Sequence, residues 1–310
     1  MKIVFMGTPD FAVPCLEKII NCKHEVCAVF SRADKPVGRK QVLTPPPVKI
    51  TALKYGIPVY QPEKVKNNPE IINLLKSIQP DAIAVVAYGR ILPPEILNIP
   101  KYGCINLHGS LLPRHRGASP IQWSIVCGDK KTGVTTMLMD EGMDTGDILE
   151  QKKIEILPDE TAQTLHDKMS VIGADLLCST LQGLENGSAV QRPQPTEGAS
   201  YAPIITKQMG NLSFLKTADE LDCLVRGFNP WPLTYFIYNG RRFKVFKAKA
   251  VNDINCTYIP GTYFEQNEKC FISCAEKSAL QLLEICPEGS KRMNSSAFIN
   301  GKFIPDGSVI

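Results

Sequence analysis

The stretch GCINLHGSLLPRHRGASP, from Gly103 to Pro120, opens with a short apolar run, Cys104, Ile105 and Leu107, interrupted by Asn106 and His108. This reads as a buried strand whose two polar residues, two positions apart, lie on one face about 7 Å from each other. Gly109 then breaks the run, and Ser110-Leu111-Leu112-Pro113 continue as a loop. Upstream and downstream the same pattern repeats. Short β-rich runs at Lys2–Met6, Val26–Ser31, Ile83–Ala87 and Val134–Met139 alternate with helical periodicity at Phe11–Asn21, Val48–Tyr55, Glu70–Ile78 and Ser119–Cys127. Such alternation predicts an α/β domain, a Rossmann-like, doubly wound and mostly parallel sheet with helices on both faces. Ligands of such sheets bind beyond the carboxyl ends of the strands, which is where Asn106, His108 and the loop after them fall.

An amide donor beside an imidazole suits a reaction in which an oxygen becomes negative while a proton moves. About thirty residues further on comes Asp140-Glu141-Gly142-Met143-Asp144-Thr145-Gly146-Asp147, a turn dense in carboxylates. Asp144 is the candidate that orients and charges His108, making Asn106, His108 and Asp144 the predicted catalytic set. On its own an Asn-x-His pair reads more readily as a hydrogen-bonded strand end, and it is the Ser110–Pro113 loop and the Asp144 turn that reverse this preference. Asp140, Glu141 and Asp147 lack calcium-loop spacing and read as solvated turn carboxylates, so no metal is expected. Gly7-Thr8-Pro9-Asp10 carries a single glycine of a dinucleotide loop, and Pro9 removes a donor, which argues a tight turn and against a nicotinamide enzyme.

Five ordered motifs carry a likeness beyond these local readings: Met6-Gly7-Thr8-Pro9-Asp10-Phe11, Ala87-Tyr88-Gly89-Arg90-Ile91-Leu92-Pro93, Asn106-x-His108 with Ser110–Pro113, Asp144-Thr145-Gly146, and Phe228-Asn229-Pro230-Trp231-Pro232. Over essentially the whole chain the sequence resembles the folate-dependent formyltransferases, and among them those acting on initiator methionyl-tRNA. The resemblance implies 10-formyltetrahydrofolate as formyl donor and a pocket lined by Ser110, Leu111, Leu112 and Pro113 together with Tyr88, Arg90, Ile91 and Leu92. It also implies a carboxyl-terminal OB-like β-barrel and tRNA contact by the basic segment around Arg39. Two departures from the family pattern are His115, where an aromatic residue is usual, and Ser213 in Leu212-Ser213-Phe214.

At 310 residues the chain exceeds what one core usually holds, and two domains are expected. Residues 1–185 would form the catalytic domain. Residues 186–205, with three prolines and no apolar period, read as a linker across which the first domain should be separable. Residues 206–310, a short helix at Ala218–Gly227 and five short strands, would form the barrel. A hydrophobic share of 44% and a net charge of +4 are ordinary for a soluble protein. No apolar run reaches membrane-spanning length, and the first residues carry no signal pattern. Eleven cysteines, many in apolar runs and without a Cys-x-x-Cys pair, read as reduced core thiols of a cytoplasmic protein, a monomer.

Two basic stretches remain. Ser31–Lys40 (SRADKPVGRK) holds Arg32, Lys35, Arg39 and Lys40 in a long mobile connection, either a solvated loop or a tRNA-directed one. Arg241–Lys249 (RRFKVFKAK), with Arg242 and Lys244, reads as a tRNA-facing strand or as an edge strand guarded by charge. Two rival functions stand beside the main one. A formyltransferase acting on a small amine would need neither the barrel nor the basic loop, and a non-enzymatic RNA-binding protein would leave Asn106, His108 and Asp144 without purpose.

Overall fold

A computed structural model describes every residue except Arg39, Asp253 and Asn255. Contacts divide the chain into two units. The first comprises Met1–Pro120, Lys131–Glu155 and His166–Ala202, and the second Ile121–Lys130, Ile156–Leu165 and Pro203–Ile310. The stretch read as a linker is therefore part of the first unit as far as Ala202, and two segments from within residues 1–185 pack with the second.

Through residue 202 the elements follow in order: β1 (Lys2–Gly7), α1 (Val13–Asn21), β2 (Glu25–Phe30), β3 (Lys35–Val37), β4 (Val42–Thr44), α2 (Pro47–Lys54), β5 (Val59–Tyr60), α3 (Pro69–Ile78), β6 (Ala82–Val86), α4 (Pro94–Leu97), β7 (Cys104–His108), β8 (Arg116–Gly117), α5 (Pro120–Val126), β9 (Lys131–Leu138), β10 (Ile148–Glu155), α6 (Ala162–Asn186) and β11 (Tyr201–Ala202). Seven strands form one sheet in the order β10-β9-β7-β6-β1-β2-β5. From β7 to β5 it is parallel; β9 runs antiparallel to β7, and β10 antiparallel to β9. The parallel strands are continuous apolar runs buried on both faces, as Ile3–Met6 and Ala82–Val86 illustrate. Helices close on them where local chemistry allows. α3 begins on Asn68, whose side chain accepts the Ile71 amide, has Pro69 in its first turn, and stops at Gln79 in the left-handed region; such an amino-terminal cap is worth about 1 kcal/mol.

Strand order reverses between β1 and β6, so the loops after β1, β6 and β7 leave the same end of the sheet. There the loops after β1, β2 and β6 are tied together: the Thr8 hydroxyl donates to the Tyr88 carbonyl and accepts the Arg32 amide.

Three features differ from the sequence reading. The Ser31–Lys40 connection is built around a hairpin, with Lys35 opposite Thr44 and Val37 opposite Val42, because β-branched residues flank a Gly-containing turn. β10 was hidden by its polar residues, Gln151, Lys152 and Lys153, which are exposed on an edge strand and protect it from pairing. The cysteines are not all free: Cys22, just past α1, is bonded to Cys178 on α6, and hydrophobic burial alone does not account for that pair.

The second unit contains α7 (Ala218–Gly227), β12 (Thr234–Tyr238), β13 (Arg241–Val251), β14 (Tyr263–Gln266), β15 (Lys269–Ser273), β16 (Ala279–Pro287), β17 (Met293–Asn294) and α8 (Ser295–Asn300). α7 starts with a reciprocal cap between Thr217 and Glu220. The strands form an antiparallel sheet, β12-β13-β16-β15-β14, with β17 on β16. Alternation puts Phe236, Phe243, Val245 and Leu282 into a core with Phe298, and leaves Arg242, Lys244, Lys247 and Lys249 exposed. Among the described residues no pairing joins β12 to β14, so the OB-like closure implied by the resemblance is absent from this ladder.

Candidate active site

Asn106 and His108 sit at the end of β7, held in register by Val85 of β6 opposite Asn106 and Thr135 of β9 opposite His108. His108 is buried, and its Nε2 lies 2.9 Å from the backbone carbonyl oxygen of His115. A carbonyl only accepts, so Nε2 carries a proton and the Nδ1 edge is the one left for chemistry. That edge faces Asp144, with Oδ2 3.7 Å away, beyond a direct hydrogen bond. The Asn106 amide, half buried, has no hydrogen-bond partner among the described residues.

Asp144 is held by its surroundings. Its carboxylate accepts the Gly117 amide at 2.8 Å, and its backbone is left-handed with φ of 54°. A side-chain-bearing residue in that region is strained and persists only when neighbours fix it. Within the turn, Asp140 accepts the Gly142 amide and the Thr145 hydroxyl, so it serves the turn itself. Gly146 is required there, since a Cβ would lie 1.8 Å from the Leu138 carbonyl oxygen.

The loop after β7 is stapled by β9 and β10. Thr135 donates to the Ser110 carbonyl at 2.6 Å and accepts the Leu112 amide at 3.2 Å, while Gln151 donates to the Leu112 carbonyl at 2.9 Å. Ser110 and Leu112 are buried, and Leu112 packs on Met137 and Ile148. Their side chains brace the loop from within, and Leu111 and Pro113 are the half-buried ones. In the loop after β6, Tyr88 and Leu92 likewise point into the core, whereas Ile91 is 77% exposed. The buried Tyr88 hydroxyl and Arg90 Nε have no hydrogen-bond partner among the described residues. Burial pushes the Tyr88 phenol up, against the opposing charges of Arg90 and Arg32. The amides of Arg90, Ile91 and Leu92 donate to no group among the described residues.

The basic residues separate into two kinds. Arg32 donates through Nη1 to the Gly89 carbonyl at 2.7 Å, so it anchors the loop after β6 and does not reach away from it. Lys35 and Lys40 are exposed on the hairpin segment, and Arg39 lies outside the described residues. Beside them Asp34 is occupied: hydrogen bonds from Gln61 and then Lys49 hold its carboxyl below the usual range. On the second unit Arg242 stacks over Tyr235 at 4.3 Å, and Lys244 is exposed on the same strand.

The sequence reading passed over Thr135, Gln151, Gln194 and Ser200, all of which bond to the site's loops. For Gln194 a signal existed: it stands between Pro193 and Pro195, two residues that fix the backbone on either side of one polar side chain. A cavity of about 1100 Å³ lies in the second unit, where Asp129, Asp219 and Asp222 offset Lys130, Lys247 and Arg226; no candidate catalytic residue lines it.

The formyl transferase family model matches residues 1–181, and the model of the formyl transferase C-terminal domain matches residues 204–302. Fold and domain pair are those of a formyl transferase. Among solved structures, WlaRD, a sugar 3N-formyl transferase, aligns over 94% of this chain and 99% of its own at 20% identity, with a TM-score of 0.70. An N-formyltransferase from Helicobacter canadensis aligns over 91% and 98% at 21% identity, with a TM-score of 0.67. At those identities the likeness is one of fold. Sequence relatives are closer: a methionyl-tRNA formyltransferase of Caldanaerobacter subterraneus subsp. tengcongensis is 46% identical over all of both chains. That of Clostridioides difficile is 48% identical over all of both, and that of Bacillus subtilis 44% over 100% of this chain and 97% of its own. The chain belongs to the methionyl-tRNA formyltransferase family.

Proposed function

We propose that this protein transfers the formyl group of 10-formyltetrahydrofolate to the α-amine of methionyl-initiator-tRNA, giving N-formylmethionyl-tRNA. The observation that carries the reading is full-length identity of 42–48% to relatives named for that reaction. Bound folate supplies the formyl carbon and, at N10, the leaving group. As the amine adds to that carbon, its oxygen becomes negative, and the free Asn106 amide donates to it. Such a donor is worth about 10²–10³ in rate. His108, fixed through Nε2 by the His115 carbonyl, offers its Nδ1 edge toward the same region. The amine gives up one proton and the leaving nitrogen takes one, so the relay between Nδ1 and the Asp144 carboxylate, 3.7 Å apart and close enough to tighten into a hydrogen bond, ends with no net change.

In this reading the unpaired amides of Arg90–Leu92 and the braced Ser110–Pro113 backbone hold the folate. Lys35, Arg39 and Lys40 meet the tRNA acceptor end, and Arg242 and Lys244 meet its backbone, where phosphate contact is salt-dependent. Arg32 serves the folate loop. No helix of the described residues is long and apolar enough to cross a membrane; the protein acts as a monomer in the cytoplasm, where its substrate is made. Incubation with charged initiator tRNA and 10-formyltetrahydrofolate should yield N-formylmethionine on the tRNA. Formylation of a nucleotide-linked amino sugar in its place would overturn the assignment.

A further inference from the structure

We propose that Gln194 is a positioning residue for the reaction, bracing the turn that presents Asp144; the inference rests on the catalytic reading of Asn106, His108 and Asp144 given above. Gln194 is the half-buried residue in the exposed run 191–199. Its amide nitrogen donates to two backbone carbonyls of the turn, Asp144 at 2.9 Å and Gly146 at 2.7 Å. Its amide oxygen accepts from Arg116 Nε at 3.1 Å and Nη2 at 2.7 Å. Two acceptors on one side and a guanidinium on the other leave a single orientation for the amide.

The strain at Asp144 gives this brace a task. A left-handed backbone at a carboxylate-bearing residue relaxes unless it is over-determined. Gln194 fixes the main chain of Asp144 while the Gly117 amide fixes its carboxylate. Gly117 is itself held by the same segment, because β8 pairs with β11, Arg116 with Tyr201 and Gly117 with Ala202. Ser200 completes the arrangement by accepting the His115 amide at 2.9 Å, and the His115 carbonyl is what holds His108. One segment thus sets both members of the His108–Asp144 pair, whose 3.7 Å separation leaves little tolerance.

The test is steady-state kinetics of the full-length enzyme on methionyl-tRNA and 10-formyltetrahydrofolate, with Gln194→Glu, Gln194→Ala, Asp144→Asn and the Gln194→Glu/Asp144→Asn double variant. Gln194→Glu keeps shape and the acceptor for Arg116 but removes the donor to the turn. Both Gln194 variants should lower kcat by about 10- to 10²-fold, the cost of a small misplacement at a reacting centre. Both KM values should stay within about twofold and the Tm near wild type. In the Asp144→Asn background Gln194→Glu should add no further loss, since its effect passes through Asp144. Wild-type kcat in Gln194→Glu, with Asp144→Asn inactive, would overturn the brace and leave the catalytic reading standing. So would full multiplication of the two losses in the double variant. Full activity in Asp144→Asn would overturn the catalytic reading and the brace with it.

Discussion

Nε2 of His108 lies 2.9 Å from the carbonyl oxygen of His115, and that contact decides which edge of the imidazole is available. A side chain that keeps the Nε2 contact but has no second ring nitrogen should fold and fail. His108→Gln is therefore expected to lower kcat by about 10² or more with little change in Tm. Turnover within a few-fold of wild type would remove His108 from the chemistry.

The Asn106 side-chain amide has no hydrogen-bond partner among the described residues to lose, so truncating it should leave the fold unaffected. Asn106→Ala should cost about 10²–10³ in kcat with near-normal KM values, the pattern of an interaction made only as charge develops. A variant that instead raises KM with kcat unchanged would recast Asn106 as a ground-state contact.

Arg32 and Lys40 stand eight residues apart and should report on different substrates. Arg32→Ala releases the Gly89 carbonyl, so the KM for 10-formyltetrahydrofolate should rise by about 3- to 10-fold while that for methionyl-tRNA stays near wild type. Lys40→Ala should do the reverse, and its log K should fall less steeply with log salt, by about one unit of slope. If Arg32→Ala weakens tRNA and spares the folate, the anchoring role fails.

His24 gives the fold a pH dependence. Burial first, and the positive amino group of Met1 second, hold its imidazole below the usual value of 6.5, with Glu185 opposing them. The unfolded chain then binds a proton that the folded chain resists, so stability falls as pH drops through 6.5 and levels off below the depressed folded value. The loss in Tm between about pH 7.5 and about pH 5.5 should be smaller in His24→Leu than in wild type, by roughly 1–3 °C. Parallel pH curves for the two proteins would show that His24 takes up its proton freely.

Much of the fold was legible because it obeys short-range rules. Ile3–Met6 and Ala82–Val86 announce doubly buried strands by unbroken apolar runs, and Asn106 with His108 on one face of β7 follows from a period of two. What escaped depends on partners distant in sequence. β10 reads as polar because one edge is wet, and β8 and β11 are two residues each, too short for any period. Gln194 and Ser200 gain meaning only when the chain returns to Asp144 and His115 from some fifty and eighty-five residues away. A motif names Tyr88 and Leu92 as positions and says nothing of which way their side chains point, which is into the core.

The path of the chain passes from one unit to the other after Pro120, Lys130, Glu155, Leu165 and Ala202. The chain thus contributes separate segments to each unit and does not complete the first before entering the second. A stop codon near residue 205 would delete the neighbours of Ile121–Lys130 and Ile156–Leu165 and expose apolar side chains such as Val126, against which Gly227 packs. Neither unit is one contiguous cassette, and exchanging either for another module means redrawing seams inside the first 165 residues as well as at Ala202.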